Sequence, residues 1–195
     1  MIIGLTGTIG SGKSFIAAVL DEFGAYVIDT DVIARAVVEP QTDGWRTIVE
    51  RWGKDILAPD GTVDRKKLGE IVFASKAERG ALNAILHPLI MQKMLEEMRN
   101  APAGAHVVLI VPLLFEGGVQ HLVDSVWVVT APEEILVKRL MERDSITEEQ
   151  ALARIGAQMP QAEKIRMADV VIDNGGTLEQ TREHVIAAWR NLAKS

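Results

Sequence analysis

The chain has 195 residues and contains no cysteine. This absence excludes disulfide bonds, thiolate metal sites and cysteine nucleophiles. Long hydrophobic runs are also missing, since the longest, at residues 107–115, spans nine positions and contains Pro112. Such a run is too short to cross a bilayer as a helix. The first residues show no basic segment ahead of an apolar one, so no targeting signal is predicted and we expect a cytoplasmic protein without a membrane partner.

An excess of positive charge is a further absence. Lysine and arginine number 21 against 27 acidic residues, which gives a net charge of −6. This balance disfavours a broad basic surface for nucleic acid, although local cationic pockets for small anions remain possible. The apolar share of 48% and the charged share of 25% are ordinary for a folded domain. We therefore predict one globular domain that acts on small molecules, with no nucleic acid and no obligatory protein partner.

Five short apolar segments predict strands, and segments with helical spacing separate them. The strands are predicted at residues 2–6, 25–28, 107–111, 126–129 and 170–172. Two of them, 107–111 and 126–129, do not alternate apolar with polar residues, which is typical of parallel strands covered on both faces. A long helical segment follows Ser75, and Pro88 is expected to end or kink it near His87. The pattern predicts an α/β fold with a parallel sheet.

Two mostly helical segments, 30–105 and 133–167, interrupt this α/β pattern. We interpret them as insertions on a single core formed by residues 1–29, 106–132 and 168–195. The first insertion is expected to bind the substrate, and the second is expected to act as a lid.

Residues 7–14 read GTIGSGKS and match the pattern G-x4-G-K-[ST] between a predicted strand and a predicted helix. We call them the phosphate loop, because glycines let backbone N–H groups surround phosphate oxygens and the helix N-terminus adds partial positive charge. Lys13 is expected to contact the β- and γ-phosphates of a nucleotide, and the Ser14 hydroxyl to bind Mg²⁺. The other residues expected to bind the nucleotide are Ile9, Gly10, Ser11 and Gly12. The alternative is a glycine-rich turn with an exposed lysine.

Two aspartates, Asp29 and Asp31, follow the second predicted strand, at the sheet edge where ligands of open α/β sheets bind. If the chain stays extended, residues two apart face the same way. One carboxylate could then accept the proton of an attacking hydroxyl, while the other orients substrate or Mg²⁺. The alternative is structural: Asp31 caps a helix that begins near Val32, and Asp29 ends the strand.

The predicted lid carries basic residues of the kind that neutralise charge during phosphoryl transfer. Arg139 and Arg143 are four apart and share a helix face, and Arg154 and Lys164 lie downstream. Acidic residues are as common in this segment, so most of these charges are expected to be solvated. Arg139 is the preferred functional residue.

Three further polar residues have more than one interpretation. His87 precedes Pro88, Glu116 follows the third predicted strand, and Gln158 ends a predicted helix. Each could contact a ligand, or could simply accompany a kink, lie at a solvated edge or cap a helix.

The combined order of these segments resembles the dephospho-coenzyme A kinase family over essentially the full chain. None of the departures from the family pattern, Thr8 and Thr30 among them, removes a reactive group. The segments that carry the resemblance are Gly4-Leu5-Thr6 with the phosphate loop, Asp29-x-Asp31, Val37-Val38-Glu39-Pro40, His87-Pro88-Leu89-Ile90, residues 111–116 (VPLLFE), Arg139 with Arg143, Gln158 and residues 168–174 (ADVVIDN).

The resemblance implies a P-loop NTP hydrolase fold, in which helices flank a five-stranded parallel sheet and a helical substrate-binding insertion and a lid are added. It also implies transfer of the γ-phosphoryl group of ATP to the ribose 3′-hydroxyl of dephospho-coenzyme A, with Mg²⁺. On this basis Asp31 is expected to be the general base, Lys13 with the loop amides the phosphate cradle, and Arg139 the lid cation. Asn174 is expected beside the adenine. The residues expected to bind the acceptor are Asp29, Asp31, His87 and Glu116.

Two other functions are the alternatives for a chain with this phosphate loop. A kinase of the adenylate, shikimate or gluconate type would share the phosphate loop and the lid, but lacks the combination of Asp29-x-Asp31, His87-Pro88 and residues 112–116. A nucleotide-dependent switch would usually show an N-K-x-D tetrapeptide, which this sequence does not contain.

Overall fold

The computed structural model describes residues 1–192, and five strands form its sheet. The order across the sheet is β2-β3-β1-β4-β5. The pairs β1–β3, β1–β4 and β4–β5 are parallel, and the five-stranded parallel sheet that the sequence predicts is confirmed. The strands are β1 (Ile2–Gly7), β2 (Tyr26–Asp29), β3 (Val107–Ile110), β4 (Ser125–Thr130) and β5 (Val170–Asp173).

The central strands are apolar because both of their faces are covered. All four residues of β3 are buried, as are the last five residues of β4. Helices α1 (Lys13–Glu22) and α9 (Leu178–Leu192) pack against each other and against the sheet. Their cluster includes Leu5, Leu20, Trp127 and Val185, each less than 1% exposed. A fully buried side chain of this size contributes about 1.5–3 kcal/mol.

Three helices lie between β4 and β5: α6 (Glu133–Asp144), α7 (Glu148–Gly156) and α8 (Gln161–Arg166). The first two pack around Leu140 and Ala151. The spacing of Thr147 and Gln150 predicts a capping box at the start of α7, and this prediction is confirmed. The backbone N–H of Thr147 donates to Oε1 of Gln150 at 3.0 Å, and the backbone N–H of Gln150 donates to Oγ1 of Thr147 at 3.3 Å. The sequence analysis predicts no helix α8, because its six residues are too few for a periodic pattern.

Residues 29–100 form one compact unit, and the rest of the described chain forms another. Helices α2, α3 and α4 each pack against the long helix α5. The unit has its own apolar core around Ile48, Ile56, Leu68 and Val72. Its helices are α2 (Thr30–Ala36), α3 (Asp43–Trp52), α4 (Arg65–Ala74) and α5 (Lys76–Asn100). Short 3₁₀ turns add Lys54–Ile56 in this unit and Gln120–Leu122 in the other.

Helix α5 continues through Pro88, so the expectation that it could end near His87 is wrong. A proline inside a helix removes one backbone hydrogen bond and costs about 3 kcal/mol. Packing on both sides of the proline offsets this cost: Ile85 and Leu86 join the apolar core before it, and Met94 is 3% exposed after it. The side chains of α5 hold the helix together where the backbone is weakest.

No helix among the described residues is long and apolar enough to cross a membrane. The sequence also predicts a final helix that ends near Ala193. This end lies outside the described residues, as do the last three residues of the predicted core segment 168–195.

Candidate active site

The phosphate loop connects the end of β1 to the start of α1, as the sequence predicts. Its shape depends on glycine at two positions, since Gly10 and Gly12 adopt φ values of 84° and 90°. Side chains strongly disfavour this left-handed region. A Cβ atom at Gly12 would also collide with the side-chain amide of Asn174. The glycines therefore allow both the turn of the loop and the close approach of a neighbouring side chain.

Lys13 folds over the phosphate loop. Its Nζ donates to the carbonyl oxygen of Gly7 at 2.9 Å and to that of Thr8 at 3.3 Å. The ammonium group therefore lies beside the loop whose amides are predicted to bind phosphate. The hydroxyls of Thr8 and Ser11 are buried without a hydrogen-bond partner within residues 1–192. Phosphate oxygens are acceptors of the kind that such donors need.

Arg139 extends from α6 to the phosphate loop. Its Nη2 donates to the backbone oxygen of Asn174 at 2.9 Å, and its Nη1 lies 3.5 Å from the carbonyl oxygens of Gly10 and Ser11. The guanidinium is planar and permanently charged, so it can hold several oxygens in a fixed arrangement. The structure thus places Arg139 at the loop.

Asn174 follows β5 and is 2% exposed. Its Nδ2 donates to the carbonyl oxygen of Ser11 at 2.7 Å, and its Oδ1 accepts from Thr181 Oγ1 at 3.0 Å. Both polar atoms of the side chain therefore have partners inside the protein. The side chain ties the phosphate loop to the amino-terminal turn of α9, while a contact with adenine stays a prediction.

Gln158 approaches the same loop from the segment between α7 and α8. Its Oε1 accepts from the backbone N–H of Ile9 at 2.9 Å. This hydrogen bond uses an amide that the sequence analysis assigns to nucleotide binding.

Glu116 lies in the loop after β3. Its Oε1 accepts from the backbone N–H of Met159 at 2.9 Å and lies 3.0 Å from Nζ of Lys164, whose side chain is fully buried. Burial raises the pKa of the Glu116 carboxyl, but backbone hydrogen bonds and the ammonium of Lys164 outweigh this effect, so the pKa is lowered overall.

The two aspartates after β2 do not share one extended segment, because helix α2 begins at Thr30. The expectation that both side chains face the same way is therefore wrong. The structural alternative is correct that Asp29 ends the strand, but wrong about the cap. Asp29 rather than Asp31 caps α2, and its Oδ1 accepts from the backbone N–H of Asp31 at 2.8 Å. Asp31 lies exposed in the first turn. The cap holds Asp31 at the beginning of the helix.

The remaining predicted residues lie on exposed surfaces. His87 is exposed on α5, and Ser14 is exposed in the first turn of α1. Arg143 and Arg154 both pair with Asp144, at 2.7 and 2.5 Å. The hydrogen bond from Arg143, followed by the charge of both guanidinium groups, lowers the pKa of the Asp144 carboxyl. These two arginines pair with a carboxylate of α6, whereas Arg139 donates to backbone oxygens at the phosphate loop.

A family model described as dephospho-CoA kinase matches residues 1–180 of the chain. The chain belongs to the dephospho-CoA kinase family. The dephospho-CoA kinase of Geobacillus kaustophilus is 51% identical over 199 residues, which cover 100% of this chain and 99% of that protein. Dephospho-CoA kinases are ATP-dependent kinases that catalyse the last step of coenzyme A biosynthesis, and membership of the family assigns this activity to the chain.

Two solved structures resemble this dephospho-CoA kinase family member along almost all of both chains. A Thermus thermophilus protein is 35% identical with a TM-score of 0.84, and the match covers 98% of this chain and 97% of the other. Dephospho-CoA kinase from Campylobacter jejuni is 30% identical with a TM-score of 0.75, over 99% and 97% of the two chains. A shikimate kinase from Acinetobacter baumannii, with 17% identity and a TM-score of 0.55 over 99% and 93% of the chains, shares the fold alone.

Sequence reasoning singled out Gln158 as a residue with several possible roles, but did not place it on the phosphate loop. It also treated Lys164 as one of several lid cations, whereas the structure buries that side chain completely. Both contacts join residues far apart in sequence, so neither has a local signal. Pro160, which immediately precedes α8, is the one local signal that could have indicated the helix.

Proposed function

We propose that the chain transfers the γ-phosphoryl group of ATP to the ribose 3′-hydroxyl of dephospho-coenzyme A and releases coenzyme A and ADP. Membership of the dephospho-CoA kinase family supports this reaction, and the phosphate loop supports the nucleotide half of it. The observation that carries most weight is the position of Lys13 and Arg139, two cations whose donors lie against the carbonyl oxygens of one loop.

The nucleotide half of the proposed site consists of residues 9–14. We propose that loop amides and Lys13 bind the phosphates, because partial positive charge at the start of α1 and a full charge on Lys13 favour anions there. Arg139 is proposed to neutralise negative charge on the phosphoryl group during transfer. Asn174 is proposed to lie near the adenine. Its side-chain amide already donates to the carbonyl oxygen of Ser11, so a contact with the adenine would come from the backbone of Asn174 and from the residues around it.

Magnesium is proposed to bind with the nucleotide. Ser14 suits this role, because its hydroxyl is exposed in the first turn of α1, where phosphates are expected. No group of three or more histidine or acidic side chains within residues 1–192 could hold a metal by itself, so phosphate oxygens and water would have to supply most ligands. When bound, Mg²⁺ neutralises charge on the phosphate oxygens.

Asp31 is proposed as the general base, and Asp29 and His87 are proposed to contact the acceptor. A ribose hydroxyl has a pKa far above that of an aspartate, so Asp31 accepts the proton late in the transfer. Positioning and charge neutralisation then supply most of the rate enhancement. A substrate contact by Glu116 stays a prediction, but the engaged Oε1 atom supports a different role, argued below.

One coupled assay of ADP release tests the acceptor. Equal concentrations of dephospho-coenzyme A, adenosine, AMP and shikimate are compared with saturating ATP and Mg²⁺. We expect turnover with dephospho-coenzyme A alone, and phosphorus NMR of the product should place the new phosphate on the 3′-oxygen. Comparable turnover with shikimate or AMP would refute the proposed acceptor while leaving the kinase assignment intact.

A cytoplasmic location also stays a prediction.

A further inference from the structure

The segment between α7 and α8 touches the phosphate loop through one hydrogen bond, from the N–H of Ile9 to Oε1 of Gln158 at 2.9 Å. The two residues are 149 positions apart, so the contact is purely tertiary. It fixes the backbone orientation of the loop at Ile9, immediately before the left-handed Gly10. Residues that set this orientation control how the following amides are presented to phosphate.

The neighbouring residue anchors the same segment. The backbone N–H of Met159 donates to Oε1 of Glu116 at 2.9 Å, and Glu116 lies in the loop after β3. Because Gln158 and Met159 are adjacent, the position of the Glu116 carboxylate determines where the Gln158 side chain starts. A shift of one ångström at Met159 is enough to break the contact at Ile9.

Lys164 in turn holds Glu116. Its side chain is 0% exposed, and its Nζ lies 3.0 Å from the oxygen that Met159 contacts. Lysine is almost never fully buried unless paired, because removing the ammonium from water is costly. The Glu116 carboxylate is the acidic group that pairs with this ammonium within residues 1–192, so it offsets the buried charge.

A third contact fixes the start of α8, to which Lys164 belongs. The side-chain amide of Gln161 accepts from the backbone N–H of Ala131 at 3.3 Å and donates to the oxygen of the same residue at 3.2 Å. The segment is thus tied to the end of β4 as well as to Glu116. Helix α8 is therefore held in place, and it carries Lys164. Through the ion pair with Glu116, the position of Lys164 determines the position of Gln158.

We propose that Gln158 is a positioning residue for the nucleotide, and that the buried ion pair between Glu116 and Lys164 sets its place against the Ile9 amide. The proposal rests on the proposed function only in that the loop binds a nucleotide. It assigns the N–H of Ile9 to support of the loop, and leaves phosphate to the amides that follow. Lys164 then acts through Glu116 and Gln158, without touching the substrate.

The test uses three variants of the full chain. Gln158→Met keeps the length of the side chain and removes the acceptor. Glu116→Gln with Lys164→Met removes both charges, while the glutamine can still accept from Met159; the paired change avoids the unfolding expected when one buried charge loses its partner. The triple variant combines all three substitutions. Lys138→Met, at an exposed lysine of α6, is the matched control.

Two measurements need no acceptor: the dissociation constant of ADP by calorimetry, and the amide resonance of Ile9 in a ¹H–¹⁵N spectrum. We expect Gln158→Met and the paired variant each to weaken ADP binding about 3- to 10-fold, the range of one lost neutral hydrogen bond. Both should move the Ile9 resonance. The triple variant should bind ADP no more weakly than Gln158→Met. When residues act through one another, the losses of affinity caused by their substitutions do not add.

Additive losses in the triple variant would overturn the proposal, as would an unmoved Ile9 resonance in the paired variant. Loss of folded structure in the paired variant would also overturn it, since the ion pair would then serve overall stability. Turnover of dephospho-coenzyme A by the wild type is measured separately. If the wild type does not turn over dephospho-coenzyme A but the variants change ADP affinity as expected, the proposed acceptor is refuted and this inference stands.

Discussion

The phosphate loop and the turn at Asp29–Asp31 both follow a strand of the sheet, but they are held in different ways. Groups 128–163 residues away in sequence, on Arg139, Gln158 and Asn174, contact the loop. The hydrogen bond that fixes the turn joins residues only two apart, Asp29 and Asp31. The loop conformation therefore depends on the folding of the whole unit that contains it, whereas a local cap shapes the acidic turn.

This difference separates two kinds of sensitivity. Substitutions far from the phosphate loop can change nucleotide binding, because side chains distant in sequence form hydrogen bonds with carbonyl and amide groups of the loop. Substitutions in the acidic turn should have effects confined to one helix end and to the chemistry of the carboxylates. The four predictions below test that separation, beginning with the largest expected effect.

Lys13→Ala should lower kcat/KM about 10³-fold, since it removes a charged donor from the predicted phosphate cradle. The free energy of unfolding should change by no more than about 0.5 kcal/mol. Steady-state kinetics and urea unfolding measure the two effects. Lys138→Ala, at an exposed lysine, is the control. Wild-type turnover in Lys13→Ala would contradict the assignment of the loop.

Asp31→Asn should lower kcat about 10²-fold, because the amide cannot accept the proton of the attacking hydroxyl. ATP affinity should stay within about 2-fold of the wild type, as expected for a residue that acts on the acceptor alone. Asp43→Asn is a suitable control, since Asp43 occupies the first turn of α3 in the same unit. Equal losses in kcat and ATP affinity would show that the acidic turn is not independent of the loop.

Asp29→Ala should lower the free energy of unfolding by about 1 kcal/mol, the usual cost of removing a helix N-cap. Asp29→Ser should restore most of the stability, because serine also accepts a hydrogen bond at this position. Chemical unfolding provides the measurement. If the alanine variant is as stable as the wild type, the local cap does not hold the turn.

Glu116 should produce the smallest effect, visible as a pH dependence. Its pKa in the folded chain lies below the ordinary value of 4.5, since backbone hydrogen bonds and Lys164 outweigh the effect of burial. A carboxyl with a lowered folded pKa stabilises the protein above its unfolded pKa, and this contribution is lost as pH falls through the folded pKa. Stability should therefore fall less steeply from about pH 5 to about pH 3 in the paired variant Glu116→Gln with Lys164→Met, which leaves no buried charge unpaired, than in the wild type.

Unfolding curves across this pH range provide the measurement for Glu116. Glu163→Gln, at an exposed position of α8, should retain the wild-type slope. A slope in the paired variant that is parallel to that of the wild type would mean that the ion pair with Lys164 does not favour the charged carboxylate.

Much of the fold was predictable, because local patterns encode it. The unalternated apolar runs at 107–111 and 126–129 indicated buried parallel strands, and the structure contains β3 and β4 there. The spacing of Thr147 and Gln150 indicated a capping box that is present. The expectation that the helix could end at Pro88 was wrong. The intrinsic free-energy cost of a proline in a helix does not include the packing of Ile85, Leu86 and Met94, which opposes that cost.

The geometry of the candidate site was predictable only where its residues are adjacent in sequence, although Arg139, which the sequence analysis preferred, does lie at the loop. The phosphate loop is a continuous motif, so its position followed directly. The geometry at Asp29 and Asp31 did not follow, because the point where a strand becomes a helix is set by a single cap hydrogen bond. The contact of Gln158 with Ile9 crosses most of the chain, and that of Lys164 with Glu116 joins two separate segments. Spacing along the sequence carries no information about such pairs.

The unit formed by residues 29–100 is one uninterrupted stretch of the polypeptide, whereas the sheet unit is assembled from a stretch on either side of it. Exchanging the helical stretch for that of another kinase would need only two junctions, and would leave every strand pairing of β1, β3, β4 and β5 uncut. Chimaeras joined at these two points would show whether residues 29–100 by themselves determine which phosphate acceptor is used.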